Sequence, residues 1–137
     1  MKRLAIAFLA AAPVFVVMDA GWLTFMGPKV YQPVIGPLLA TKVDVGAAVA
    51  FYVLYIAGLV FFAIRPALMG GRLALAALHG AALALVSYGT YDLTNQATLR
   101  LWSIGITIAD LGWGMTVSAV ASTAGFVAAR AFDRSGR

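Results

Sequence analysis

The chain contains no cysteine and no glutamate, and its only histidine is His79. The first absence excludes disulfides, thiolate metal sites and cysteine nucleophiles. The other two remove the ligand sets of zinc and di-iron membrane enzymes, since five aspartates and one histidine cannot supply a multi-histidine or carboxylate–histidine cluster. A retinal Schiff base is disfavoured because Lys2, Lys29 and Lys42 lie outside the apolar stretches. Haem in membranes commonly takes two axial ligands, so His79 is read as an interhelical residue satisfied by a neighbour. The sequence also lacks a Gly-rich phosphate loop, a nucleophile elbow and a metal box. No metal and no other cofactor is expected.

Charge is scarce as well. Only 11% of residues are charged, against about 25% in an ordinary soluble domain, while 63% are hydrophobic and the mean hydropathy is +0.94. The composition is that of an all-α integral membrane protein. Apolar stretches at about 4–26, 45–64, 73–91 and 102–129 each approach or exceed the roughly 20 residues a helix needs to span a bilayer. Four spans use most of the 137 residues, which predicts a single membrane domain with its chemistry in the spans or short loops. The net charge of +5 comes from basic residues scattered at segment ends rather than gathered in a patch, so no nucleic-acid partner is expected.

Lys2-Arg3 before an apolar stretch resembles the start of a signal peptide, but cleavage is not expected. A cut after Ala12 puts Pro13 next to the scissile bond, and one after Ala20 puts Asp19 beside it and Met18 where a small residue is wanted. The first span is therefore read as retained, broken or kinked near Pro13. The Pro-rich stretch 29–44 reads as a loop with a short interfacial helix, and Met69-Gly70-Gly71 as a tight link between the second and third spans. Four spans place both termini on one side. Lys2, Arg3, Arg65, Arg72, Arg130, Arg134 and Arg137 collect there, against Lys29, Lys42 and Arg100 opposite, so the termini are expected in the cytoplasm of a bacterial inner-membrane protein.

The pattern Asp-x-Gly-Trp occurs twice, as Asp19 to Trp22 and as Asp110 to Trp113, inside the first and last apolar stretches. An ionised Asp near the bilayer centre costs about 2.5–3.5 kcal/mol, so such residues usually face a protein interior and mark a site or pathway. At 1.5 Å per residue, Asp19 lies roughly 22 Å from the cytoplasmic edge and Asp110 roughly 12 Å below the outer one, which puts both acids in the outer part of the bundle. Trp22, Tyr52, Tyr55, Tyr88, Thr90 and Tyr91 map to the same layer, with Asp92, Thr94, Asn95 and Trp102 just above. Residues three apart share a helix face, so each Asp and its Trp point together, and each Gly leaves room for a helix or ligand. The first span runs outward and the last inward, giving the two copies opposite sense, as in an inverted repeat.

Two readings compete for these residues. In one the acids are structural, tying helices together through a Tyr or Thr hydroxyl; Asp92 or Asn95 caps a helix end, and tyrosines and Trp102 form an interfacial belt. In the other they line a cleft for a cation, an amine or a polar head group. If Asp19 and Asp110 are close, they share one proton.

The run Ser87-Tyr-Gly-Thr-Tyr-Asp-Leu-Thr-Asn95 resembles the signature of a bacterial family of predicted membrane proteins, domain of unknown function 2177. The likeness extends to Asp19–Trp22, to the Phe51-Tyr52 to Pro66 span and to Asp110–Gly114. It implies a four-span inner-membrane protein with no assigned activity. By matching positions it also implies that Asp19, Trp22, Tyr52, Tyr88, Thr90, Tyr91, Asp92, Thr94, Asn95, Asp110 and Trp113 are motif residues.

The expected protein is thus a four-helix membrane bundle that binds or transports a cationic or lipid-like small molecule. Asp19 and Asp110 are its buried anionic ligands, Asp92 and Asn95 its entrance, and tyrosines and tryptophans its walls. An intramembrane acid–base enzyme acting on a lipid or isoprenoid is the alternative, and whether the chain is an enzyme stays open. A third reading is a structural subunit, homo-oligomeric or docked to another membrane protein through its Ala and Gly faces.

Overall fold

Within a bilayer every backbone amide must be satisfied by its own chain, and the Ala- and Leu-rich stretches lack the alternation of a barrel strand, so helices remain. The computed structural model, which describes residues 1–135, is helical from end to end with no strand among them. Arg137, counted above with the cytoplasmic basic residues, lies outside the described residues. Four helical stretches, Lys2–Leu38, Val45–Gly70, Leu73–Thr98 and Ile104–Arg134, are long and apolar enough to cross a membrane.

Helix α1 (Lys2–Met26) runs on past Pro13, where a break or kink was expected. Pro13 is exposed, so its ring lies on the outward face of α1, where it leaves the Leu9 carbonyl one turn back without an N–H partner. The expected loop after it is largely helical too. A π-helical turn (Gly27–Tyr31), the short α2 (Gln32–Ile35) and a 3-10 turn (Gly36–Leu38) carry the chain on, leaving only 39–44 outside a helix. Pro28, Pro33 and Pro37 each sit in the first positions of one of these turns, and each withholds an N–H from the turn before it at a point where the helix changes type.

Asp44 opens α3 (Val45–Gly58), its Oδ1 accepting from the Ala47 N–H at 3.0 Å. A second π-helical turn (Leu59–Ile64) and α4 (Arg65–Gly70) complete that crossing. Gly71, at φ 66°, takes the left-handed conformation that ends a helix and lets the chain reverse into α5 (Leu73–Thr98). Helix α5 continues through the polar run that was expected to end it. Thr90, Thr94 and Thr98 donate their hydroxyls to the carbonyls of Val86, Thr90 and Thr94 at 2.7, 2.6 and 2.8 Å, so these side chains bond along their own helix instead of competing with it. Helix α6 (Ile104–Ser135) begins two residues after Trp102, with the Ser103 carbonyl accepting from Ile106 and Thr107.

Helix α6 packs along both α1 and α5. The core it shares with them holds Phe15, Ile56, Leu59, Ile64, Val117 and Phe126. Small residues let the backbones meet: a Cβ on Gly80 would stand 2.7 Å from the Ser118 carbonyl oxygen, and one on Gly125 would stand 2.8 Å from that of Ala7. The outward faces carry Leu9, Val17, Phe25, Val53, Phe62, Leu85 and Ile108, as a lipid-facing surface requires. Near the termini, Arg3 pairs with Asp133 at 2.9 Å and donates to the Leu68 carbonyl at 3.4 Å, so the start of α1, the end of α6 and α4 share one end of the bundle. The acids at positions 19, 92 and 110 lie toward the other end.

Candidate functional site

The two Asp-x-Gly-Trp copies meet. The indoles of Trp22 and Trp113 stack with ring centroids 4.6 Å apart and planes within 6°. From that stack each indole N–H serves the acid of the opposite copy. Trp113 Nε1 donates to Asp19 Oδ1 at 3.2 Å, and Trp22 Nε1 donates at 2.8 Å to the Tyr31 hydroxyl, which in turn donates to Asp110 Oδ1. Tyr52 on α3 supplies the second donor to Asp19, its hydroxyl 2.8 Å from Oδ2. Asp19 is 7% exposed and its partners are neutral donors. The only ion pair among the described residues is Arg3–Asp133 at the far end.

Asp92 is fully buried on α5, and neither of its oxygens receives a hydrogen bond from an N–H or hydroxyl of another residue. Helix α6, which carries Asp110, packs along α5. Proton sharing was anticipated between Asp19 and Asp110. The described hydrogen bonds connect those two acids only indirectly, through the Trp pair and Tyr31.

Asp19, Trp22, Trp113 and Asp110 line a cavity of about 350 Å³, closed on other sides by Tyr31, Tyr88, Tyr91, Trp102 and the turns that follow α1. A second cavity of about 320 Å³ lies beyond Tyr88, Tyr91 and Asp110, which line both, and is completed by Phe51, Tyr55 and Ser87. The Tyr88 ring lies over Gly114, where a Cβ would stand 2.7 Å from it. This is the close approach a glycine was expected to permit, but not at the expected glycines. Gly21 and Gly112, inside the repeated pattern, have nothing within 4 Å of a Cβ position.

Of the eleven residues singled out from the sequence, Asp19, Trp22, Tyr88, Tyr91, Asp110 and Trp113 line the first cavity, Tyr52 holds Asp19, and Asp92 is buried on α5 and lines neither cavity. Thr90 and Thr94 are exposed and bonded to their own helix, and Asn95, half-buried, lines neither cavity. The expected entrance at Asp92 and Asn95 is therefore closed on the Asp92 side: that carboxyl is inside the bundle.

Tyr31 was missed, because Pro28 and Pro33 around it marked a loop. Tyr55, placed in the right layer but not counted as a ligand residue, shares a hydrogen bond with Ser118 at 2.9 Å and lines the second cavity. Trp102, read as a belt residue, lines the first cavity and donates to Thr107 at 3.0 Å, which donates onward to Gln96 at 2.7 Å. His79 is half-buried toward the opposite end of α5 and makes no side-chain hydrogen bond among the described residues, so the neighbour expected to satisfy it is not found.

Residues 4–127 match the family described as predicted membrane protein (DUF2177). The chain belongs to this family. The matched stretch contains every residue of both cavities and of the Asp19–Asp110 network. No solved structure and no curated protein is significantly similar to the chain. Family membership thus fixes the class, a membrane protein with four apolar helices, and leaves the chemistry to be argued from the site.

Proposed function

We propose that this protein binds, and in transport carries, a small molecule with a cationic amine group in the cavity between α1, α5 and α6. One observation carries the reading. Two carboxylates, Asp19 and Asp110, line a single cavity together with the rings of Trp22, Tyr31, Tyr88, Tyr91, Trp102 and Trp113 and a few uncharged residues such as Leu23, Gln32 and Ile35, and no basic side chain is among the lining residues. Negative charge set among indole and phenol rings is the environment that attracts an ammonium group, through charge pairing and the ring faces together. A cation in the cavity would also offset the cost of buried acids whose hydrogen-bond donors are all neutral.

With the termini in the cytoplasm of a bacterial inner membrane, as the basic residues favour, the cavity belongs to the outer half of the bundle. The test is binding of tetramethylammonium and primary alkylamines to the purified chain, read by tryptophan fluorescence, with Asp19→Asn and Asp110→Asn alongside the unaltered protein. Binding that weakens in both variants supports the reading. Equal response in all three proteins rejects it.

A single observation favours the acid–base alternative: Asp92 is a fully buried carboxyl with neither oxygen hydrogen bonded, an environment suited to an acid that holds a proton. Turnover of a lipid or isoprenoid substrate that disappears with Asp92→Asn would favour it over binding. The docking-subunit reading gains less support, because the small residues at Gly80, Gly114 and Gly125 are used in contacts within this chain.

A further inference from the structure

The second cavity differs in chemistry from the first. Its walls are the rings of Phe51, Tyr55, Tyr88 and Tyr91, and its one charged group, Asp110, is shared with the amine cavity. The Ser87 hydroxyl is engaged with the Leu83 carbonyl at 2.9 Å, which removes most of the remaining polarity. A space of this kind suits an apolar group attached to something that Asp110 holds.

Its position gives it an outlet. Helix α5 packs on α6 and on the π-helical turn Leu59–Ile64, whereas α3, which precedes that turn, packs on α1 and makes little backbone contact with α5. The space lies between α3 and α5 on their outward half. At its rim Phe51 is 42% and Tyr91 60% exposed, flanked by the exposed Leu54 and Val86, so the rim belongs to the surface that lipid covers in a spanning bundle. The two cavities meet at Tyr88, Tyr91 and Asp110, and the second carries the exposed Phe51 and Tyr91 in its lining.

We infer that the gap between α3 and α5 is a lateral portal, and that the ligand is a membrane-resident single-chain amphiphile. Its ammonium head sits at Asp19 and Asp110, and its alkyl or isoprenoid chain leaves past Tyr88 and Phe51 into the bilayer. The inference rests on the amine-binding reading above and adds the chain, its path and its source in the membrane. An apolar tail bound in this way needs no polar partner along its route, consistent with the ring-lined walls.

The experiment uses the full chain in phosphatidylcholine nanodiscs and two probes. Tetramethylammonium carries the head alone; a dodecyltrimethylammonium bearing a diazirine at the chain terminus carries head and tail, and its crosslinks are located by mass spectrometry. The portal predicts crosslinks concentrated on α3 and α5 around Phe51, Tyr55 and Ser87, suppressed about tenfold by excess tetramethylammonium. Ser87→Phe, which fills the second cavity, should reduce those crosslinks while tetramethylammonium still changes tryptophan fluorescence.

Tetramethylammonium binding together with crosslinks spread evenly over lipid-facing positions such as Leu9 and Phe62 would overturn the portal and leave the amine site standing. Crosslinks at the portal that tetramethylammonium does not suppress would overturn the link between head and tail. Absence of binding by either probe would remove the amine reading and the portal with it. If Ser87→Phe does not fold, crosslinking and competition on the unaltered chain decide the matter alone.

Discussion

Trp113 donates its indole N–H to Asp19, the acid of the other copy of its own sequence pattern, while its ring stacks on Trp22 at 4.6 Å. The exchange is reciprocal, since Trp22 reaches Asp110 through the Tyr31 hydroxyl. Helices α1 and α6 are thus joined at their polar end by a stacked ring pair and two crossed acid contacts.

Trp113→Phe keeps a ring for the stack but leaves Asp19 one donor short. The expected loss is about 1–2 kcal/mol, since interhelical hydrogen bonds in membranes are modest and those to ionised groups stronger than average. Thermal unfolding in detergent measures it. In a double-mutant cycle with Asp19→Asn, the two losses should fall short of additivity; simple additivity would mean that the hydrogen bond contributes nothing.

Tyr31→Phe should loosen the segment after α1 without disturbing the core. It removes the hydroxyl that joins Trp22 to Asp110, and that hydroxyl is the described side-chain tie from the π-helical turn to α6. Faster proteolysis after Lys29, with global stability lowered by about 1–2 kcal/mol at most, is the predicted result.

The glycines should separate cleanly. Gly80→Ala would press a methyl to within 2.7 Å of the Ser118 carbonyl oxygen and Gly114→Ala to within 2.7 Å of the Tyr88 ring, so both should destabilise, Gly80→Ala more because backbone cannot swing aside. Gly21→Ala and Gly112→Ala meet nothing and should stabilise by about 0.5–1 kcal/mol through helix propensity. Melting temperatures of the four variants in one detergent test the order.

Thr90→Val and Thr94→Val should leave both stability and amine binding within about 0.5 kcal/mol of the unaltered protein. Their hydroxyls bond to their own helix and their side chains are exposed. A loss of binding in either would mean that the ligand contacts the outer face of α5.

Orientation is directly testable because the chain has no cysteine to interfere. Single cysteines at positions 2 and 134 should be labelled by a membrane-impermeant maleimide from one side of the membrane, and one at position 42 from the other. Labelling of 2 and 134 from opposite sides would contradict the four-crossing order.

Much of this was legible in the chain. Four crossings follow from hydropathy and length alone, because the bilayer sets one thickness and every backbone amide must be bonded within its helix. The layer holding Asp19, Trp22, Tyr52, Tyr88 and Asp110 follows from counting residues along those helices. Helix faces are harder to read when every face is apolar. Thr90 and Thr94 stand two residues to either side of Asp92 in the same polar run, yet they are exposed while Asp92 is buried.

Partner identity belongs to the tertiary structure. That Trp113 serves Asp19 rather than its own Asp110, that Asp92 is buried inside the bundle, and that Tyr31 returns to the site from a proline-rich stretch depend on how α1, α5 and α6 are rotated against one another. Rotation is set by close contacts of Gly80 and Gly125 with the Ser118 and Ala7 carbonyls and of Gly114 with the Tyr88 ring, which are interactions between distant residues. Hydropathy along one chain carries depth. Only packing between helices decides which side chains meet at that depth.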